Sequence, residues 1–152
     1  MPMRLNHMEL TFPEGTLTPE FKQQITDFYQ ELFGWNTLEI DIVEQKALLL
    51  MLDEDVSQFI LLAESPKPMQ SPSYDHLGLL FDTREEVDAL LEKAKAMQTV
   101  NNEIQIKEYE DLKEGGTIVH AFYVRHLLPI WFDVQSIDYE NGLEPARKWH
   151  YG

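Results

Sequence analysis

The sequence predicts an α+β fold: two βαβββ modules forming a cup-shaped mixed sheet, with a helix packed on the outer face of each module. Three observations carry this expectation. The order strand, helix, strand, strand, strand occurs twice along the 152 residues. Both copies open on a similar short pattern, Asn6-His7-Met8-Glu9-Leu10 and Asp75-His76-Leu77-Gly78-Leu79, so that the two histidines stand one module apart. Between the copies, Ser65 to Ser73 holds Pro66, Pro68 and Pro72, which suits a linker and no regular element. Residues 1–152 are therefore expected to form one domain, with module one at about 4–64, the linker at 65–73, module two at 74–136 and a tail at 137–152.

The elements follow in order. Leu5 to Phe12 alternates, with Met8, Leu10 and Phe12 on one face and His7, Glu9 and Thr11 on the other, as in a half-buried strand; Pro13-Glu14-Gly15 ends it. Thr18-Pro19 reads as an N-cap with proline at the first helical position. Phe21, Ile25, Phe28, Tyr29, Leu32 and Phe33 then recur at helical spacing up to Gly34, which predicts a helix over Pro19 to Phe33. Strands are expected at Thr37 to Val43, Gln45 to Leu52 and Val56 to Ala63, joined tightly at Glu44-Gln45 and Asp53-Glu54-Asp55. In the second copy, Tyr74 to Phe81 is a strand, and Thr83 with Glu86 forms a capping box ahead of the stripe Val87, Leu90, Leu91 and Ala94. Three strands follow at Glu103 to Tyr109, Thr117 to Arg125 and Pro129 to Gln135, with a turn at Glu114-Gly115-Gly116. In the polar tail, Trp149 and Tyr151 are candidates to pack back on the domain.

Composition narrows the function classes. A hydrophobic fraction of 43% supplies a core without staples. The absence of cysteine excludes disulfides, thiolate metal sites and a cysteine nucleophile. A formal charge of −15 with no basic cluster repels a phosphate backbone, so no nucleic-acid partner is expected. Apolar runs such as Ala47 to Leu52 fall far short of the roughly 20 residues of a membrane span, and the first residues carry no apolar leader stretch. No membrane association and a cytoplasmic location are therefore expected. The acidic balance gives solubility and would steer cationic ligands.

Parity then places the site. A sheet covered by a helix on one face leaves the other for a partner or ligand. With Met8, Leu10, Phe12, Leu77, Leu79 and Phe81 under the helices, His7 and His76 point to the opposite face. Ile130, Phe132 and Val134 suit the helix side of the last strand, which turns Trp131, Asp133 and Gln135 toward the cup. Two imidazoles and a carboxylate make a facial set for a divalent ion, Fe(II), Mn(II), Zn(II) or Ni(II). Glu9 shares the parity of His7 and is a candidate catalytic base or further ligand. Gln58, Tyr123, Trp131 and Gln135 are candidates to line the substrate pocket of the cup. His120 and His126 read as surface groups or as supports for the site, and Phe33 and Trp35 as core or dimer packing. Gly-x-Ser-x-Gly and P-loop patterns are absent.

These residues carry a family resemblance. Asn6 to Leu10, Phe28-Tyr29-Gln30-Glu31-Leu32-Phe33-Gly34-Trp35, Asp75 to Leu79 and Ile130-Trp131-Phe132-Asp133-Val134 resemble the vicinal oxygen chelate superfamily, which includes glyoxalase I, extradiol dioxygenases, fosfomycin-resistance enzymes and bleomycin-resistance proteins. The resemblance spans roughly residues 4 to 136 and implies paired modules, a homodimer and metal ligands on the opening and last strands. His7 and His76 match the opening-strand positions, and Asp133 matches a last-strand carboxylate that is usually Glu. Gln58 is the nearest polar match to a fourth ligand on the last strand of module one. Arg125-His126-Leu127-Leu128-Pro129 departs from the Asp-Pro-Asp-Gly-like turn common in the family. The expected function is a divalent-metal-dependent lyase, isomerase or dioxygenase acting on a small substrate that chelates through adjacent oxygens. The alternative is a metal-free binding protein of the bleomycin-resistance, antibiotic-sequestering kind, and a weaker third is a regulatory partner protein using the same cup.

Overall fold

In the computed structural model, which describes residues 3–43 and 45–145 (backbone alone at Gln45), the first repeat folds as β1 (His7–Phe12), α1 (Pro19–Phe33), β2 (Asn36–Ile42), β3 (Gln45–Met51) and β4 (Phe59–Glu64). The second folds as β5 (His76–Phe81), α2 (Arg84–Val100), β6 (Gln105–Glu108), β7 (Leu112–Glu114), β8 (Thr117–Arg125) and β9 (Trp131–Tyr139). Each repeat makes its own sheet: β1-β4-β3-β2 in the first, and β5-β9-β8-β6 in the second with β7 also paired to β8. β1 runs parallel to β4 and β5 parallel to β9, while β2–β3, β3–β4 and β8–β9 pair antiparallel. The sheets are thus mixed and the fold is α+β. Trp149, Tyr151 and Glu44 lie outside the described residues.

The chain divides into two units. One is the chain up to Asp75 together with Arg125–Ile130; the other is His76–Val124 and the chain from Trp131. In the first, the Thr18 hydroxyl accepts from the Phe21 amide at 3.2 Å and so satisfies a donor that the first helical turn leaves unpaired. Gly34, at φ 75°, ends the helix by returning its amide to Gln30 at 2.9 Å. The helix lays Ile25, Phe28, Tyr29 and Leu32 over the sheet face formed by Leu10, Leu48, Leu50, Ile60 and Leu62, all of them buried. Two side-chain contacts fix which face this is: Thr26 meets Thr37 at 2.9 Å, and Lys22 pairs with Glu39 at 3.1 Å.

Residues 125–130 belong to this first unit for a physical reason. The buried Tyr29 hydroxyl donates to the His126 carbonyl at 2.7 Å, the His126 ring packs edge-on to Phe28 at 4.6 Å, and Leu128 and Ile130 are buried. His126 is therefore a core residue and not a surface group.

In the second unit, Thr83 and Glu86 form the expected capping box. α2 buries Val87 and Ala94, and the sheet contributes Phe122, Val124, Phe132 and Val134 to the core. Three differences from the sequence reading go beyond a shift of one or two residues at a strand end. β4 starts at Phe59 and not at Val56, because the Asp53 carboxylate collects the Ser57 amide (2.8 Å), the Ser57 hydroxyl (2.9 Å) and the Gln58 amide (2.8 Å), holding 53–58 as a loop. The second sheet has five strands and not four, because the stretch after Glu108 breaks and resumes as β7. β9 begins at Trp131 and continues to Tyr139, three residues into the expected tail. Among the described residues, no helix is long and apolar enough to cross a membrane.

Candidate metal and ligand site

In the second unit, register brings the candidate residues together on the face away from α2. His76 pairs with Trp131, Gly78 with Asp133, Leu80 with Gln135, and Tyr123 with Asp133, so these side chains share a face across β5, β9 and β8. His76 Nε2 lies 3.9 Å from Asp133 Oδ2 and 3.4 Å from the Tyr123 hydroxyl. The His76 and Tyr123 rings are 4.8 Å apart. Trp131 is buried. The Gln135 amide nitrogen sits over Gly78, 3.2 Å from where a Cβ would stand.

Asp133 is the unusual group. It is 7% exposed, and its Oδ1 is buried with no hydrogen-bond partner. Burial pushes its carboxyl above the usual carboxylate range, against the opposing pull of His76. Burial likewise raises the Tyr123 phenol, reinforced by the Asp133 charge and Tyr109 and opposed by Lys107. The row continues across the face: the Tyr109 ring is 4.8 Å from Tyr123, and Lys107 Nζ is 5.2 Å from the Tyr109 centroid. Lys107 and Tyr109 were not singled out in the sequence. Their signal was present in the alternation of Ile104 and Ile106 with Gln105, Lys107 and Tyr109, which has the period of a half-buried strand.

The face of the first unit away from α1 is different. His7 pairs in register with Phe59, and the two rings stack at 4.9 Å and 5°. The His7 Nδ1 contacts the Asn6 amide oxygen at 2.7 Å. Glu9 is exposed and pairs with Leu61, which in turn pairs with Leu49. Leu61 thus holds, in β4, the place beside the opening strand that Asp133 holds in β9. Gln58 lies in the loop before β4, so the placement of a fourth ligand there on the last strand is corrected: the strand offers Phe59 and Leu61. Among the described residues, no three His, Asp or Glu side chains gather into a group able to hold a metal ion by themselves.

Residues 22–120 match the sequence profile of the Glyoxalase/Bleomycin resistance protein/Dioxygenase superfamily. The chain belongs to this superfamily. No curated protein matches the sequence. Among solved structures, the fosfomycin resistance protein FosX from Listeria monocytogenes is similar at 19% identity and a TM-score of 0.62, over 88% of this chain and 91% of that one. A point mutant of that protein in complex with Mn(II) and 1S,2S-dihydroxypropylphosphonic acid is similar at 17% identity and a TM-score of 0.57, over 88% and 92%. An integron cassette protein from the V. cholerae mobile metagenome is similar at 14% identity and a TM-score of 0.57, over 90% and 96%. At these identities the likeness is one of fold.

Proposed function

We propose that the protein is a divalent-metal-dependent enzyme of this superfamily, a lyase, isomerase or dioxygenase, acting on a small substrate that chelates through two adjacent oxygens. The observation that carries the reading is the Asp133 carboxylate. A buried carboxylate oxygen without a partner is costly, and a cation beside it removes the cost. His76 stands next to it with an imidazole, so the donor set is that of a borderline-hard divalent ion. His76 and Asp133 would hold the ion, and His7 would supply the third ligand. When bound, the ion would act as a Lewis acid on the chelated substrate oxygens. Tyr123 would orient the substrate through its hydroxyl, with Trp131 and Gln135 bounding the pocket, while Glu9 would take or return a proton as base. The protein would act as a homodimer in the cytoplasm. Mn(II) is the first ion to test, since FosX has been crystallised with it. Metal analysis of protein purified without tag or chelator tests the reading. About one divalent ion per chain supports it, and none, with no uptake of added Mn(II), Fe(II), Zn(II) or Ni(II), overturns it.

A specific observation favours a second reading. Phe59, Leu61 and Leu49 line the first unit's face, with Leu61 where a ligand carboxylate would stand. An apolar wall of this kind suits a metal-free ligand-sequestering protein. Thermal stabilisation by cationic glycopeptides in the presence of chelator would favour it over the enzyme.

A further inference from the structure

We propose that Tyr109-Glu110-Asp111 is a strap crossing the edge of the second sheet, and that Arg84 and His120 are positioning residues that seat Tyr109 in the site wall through Asp111. The role of that wall rests on the functional reading above; the strap itself stands on geometry. β6 and β7 both pair with β8, so they form one edge strand interrupted by these three residues. In an unbroken strand Tyr109 and Asp111, two positions apart, would share a face. Here they do not. Tyr109 lies against Tyr123 on the face of His76 and Asp133. Asp111 meets His120, which shares its face of β8 with the buried Phe122 and Val124, on the α2 side.

The grip on Asp111 is strong. Arg84 reaches Oδ1 at 3.3 Å and Oδ2 at 2.5 Å, and His120 Nδ1 lies 2.8 Å from Oδ1. Paired guanidinium contacts to one carboxylate fix direction as well as distance. Arg84 first and His120 second pull the Asp111 carboxyl down to about 2. The anchor is itself held from α2: His120 Nε2 lies 2.7 Å from Asp88, one helical turn after Arg84. Tyr109, by contrast, is 41% exposed. Two residues of chain span at most roughly 7 Å, so the anchor at Asp111 limits where the Tyr109 ring can go. Loosening it would draw Tyr109 off Tyr123 and widen the wall beside the reacting groups, without touching His76 or Asp133.

The test is NMR of the full chain with 13C-labelled tyrosine rings, in chelator, with Tyr109→Phe assigning the signal. The expected result is that the Tyr109 signal, offset from free tyrosine by the Tyr123 ring, loses that offset in Arg84→Met and in Asp111→Asn and recovers part of it in Arg84→Lys. An unchanged Tyr109 signal in the Arg84→Met and Asp111→Asn proteins overturns the proposal. If Arg84→Met does not fold, Asp111→Asn and Arg84→Lys decide. A parallel Mn(II) titration should give the same affinity in Arg84→Met as in wild type. Loss of Mn(II) together with the offset would mean general unravelling, and would also overturn a positioning role. Wild-type protein that takes up no Mn(II) would defeat the functional reading and leave the NMR result intact.

Discussion

Replacing Asp133 by leucine should stabilise the metal-free protein while removing its metal response. Leucine keeps a similar branched shape and takes away a buried oxygen that has no partner. A buried unsatisfied polar group costs about 1–3 kcal/mol, and in a domain of this size each kcal/mol moves the melting temperature by about 2–4 °C. The expected rise for D133L in chelator at pH 7 is therefore about 2–12 °C. The sign can be checked by pH. Burial raises the Asp133 carboxyl in the folded state, so its proton is held more tightly there than in the unfolded chain, where the ordinary value is about 3.9. Below that ordinary value the neutral acid carries little charge penalty and the variant's advantage should shrink. The advantage should open as pH rises through the raised folded value. Adding Mn(II) at a hundredfold excess over its dissociation constant should stabilise wild type by about 2.7 kcal/mol and leave D133L unmoved. Thermal melts by circular dichroism in both conditions are the assay. A D133L protein no more stable than wild type in chelator would refute the reasoning, since the oxygen would then have been adequately solvated or paired.

Other outcomes follow from the same structure. Tyr29→Phe should cost about 0.5–1.5 kcal/mol in urea unfolding, because it removes a buried hydrogen bond to the His126 carbonyl, which keeps the Leu128 amide as donor, while leaving the ring packing intact. Thr83→Ala should cost about 1 kcal/mol by removing half of the α2 capping box, and hydrogen exchange should report faster opening of the first turn of that helix. Stability should also depend on pH through His120. Burial lowers its pKa, but hydrogen bonds to Asp111 and Asp88 outweigh this and the net shift is upward. Its contribution is then complete below about 6.5 and is lost as pH rises through the raised folded value, so His120→Asn should flatten that fall. Asp111 acts in the opposite sense: its contribution is present above about 3.9 and is lost as pH falls toward about 2.

The fold was legible because the local signals agree with one another. Thr18-Pro19 and Gly34 mark α1 at both ends, and Thr83 with Glu86 marks the start of α2. Alternation in β1 and β5 separated the helix side from the face that carries His7 and His76. What stayed hidden depends on contacts distant in sequence. The break after Glu108 has no glycine or proline to announce it; it exists because Asp111 finds Arg84 and His120. The burial of His126 depends on the Tyr29 hydroxyl, far away in sequence, and no pattern around Arg125-His126-Leu127 reports it. In the second repeat, parity put His76, Trp131, Asp133 and Gln135 on the face away from the helix, and the register sets them on one face with Tyr123. It could not place Gln58, because the Asp53 side chain delays the start of β4. Nor could it distinguish Leu61 from a ligand position, since that needs the register between β1 and β4.

The central claim is that His76 and Asp133 hold a divalent ion. Its most direct test is a Mn(II) titration of chelator-treated protein followed by electron paramagnetic resonance, with His76→Ala and Asp133→Asn in parallel. The prediction is one Mn(II) per chain in wild type, with affinity weakened at least about tenfold in each variant, the smallest effect expected for a group that orients or binds a metal. Equal Mn(II) affinity in wild type and both variants, or no binding in wild type, would contradict it.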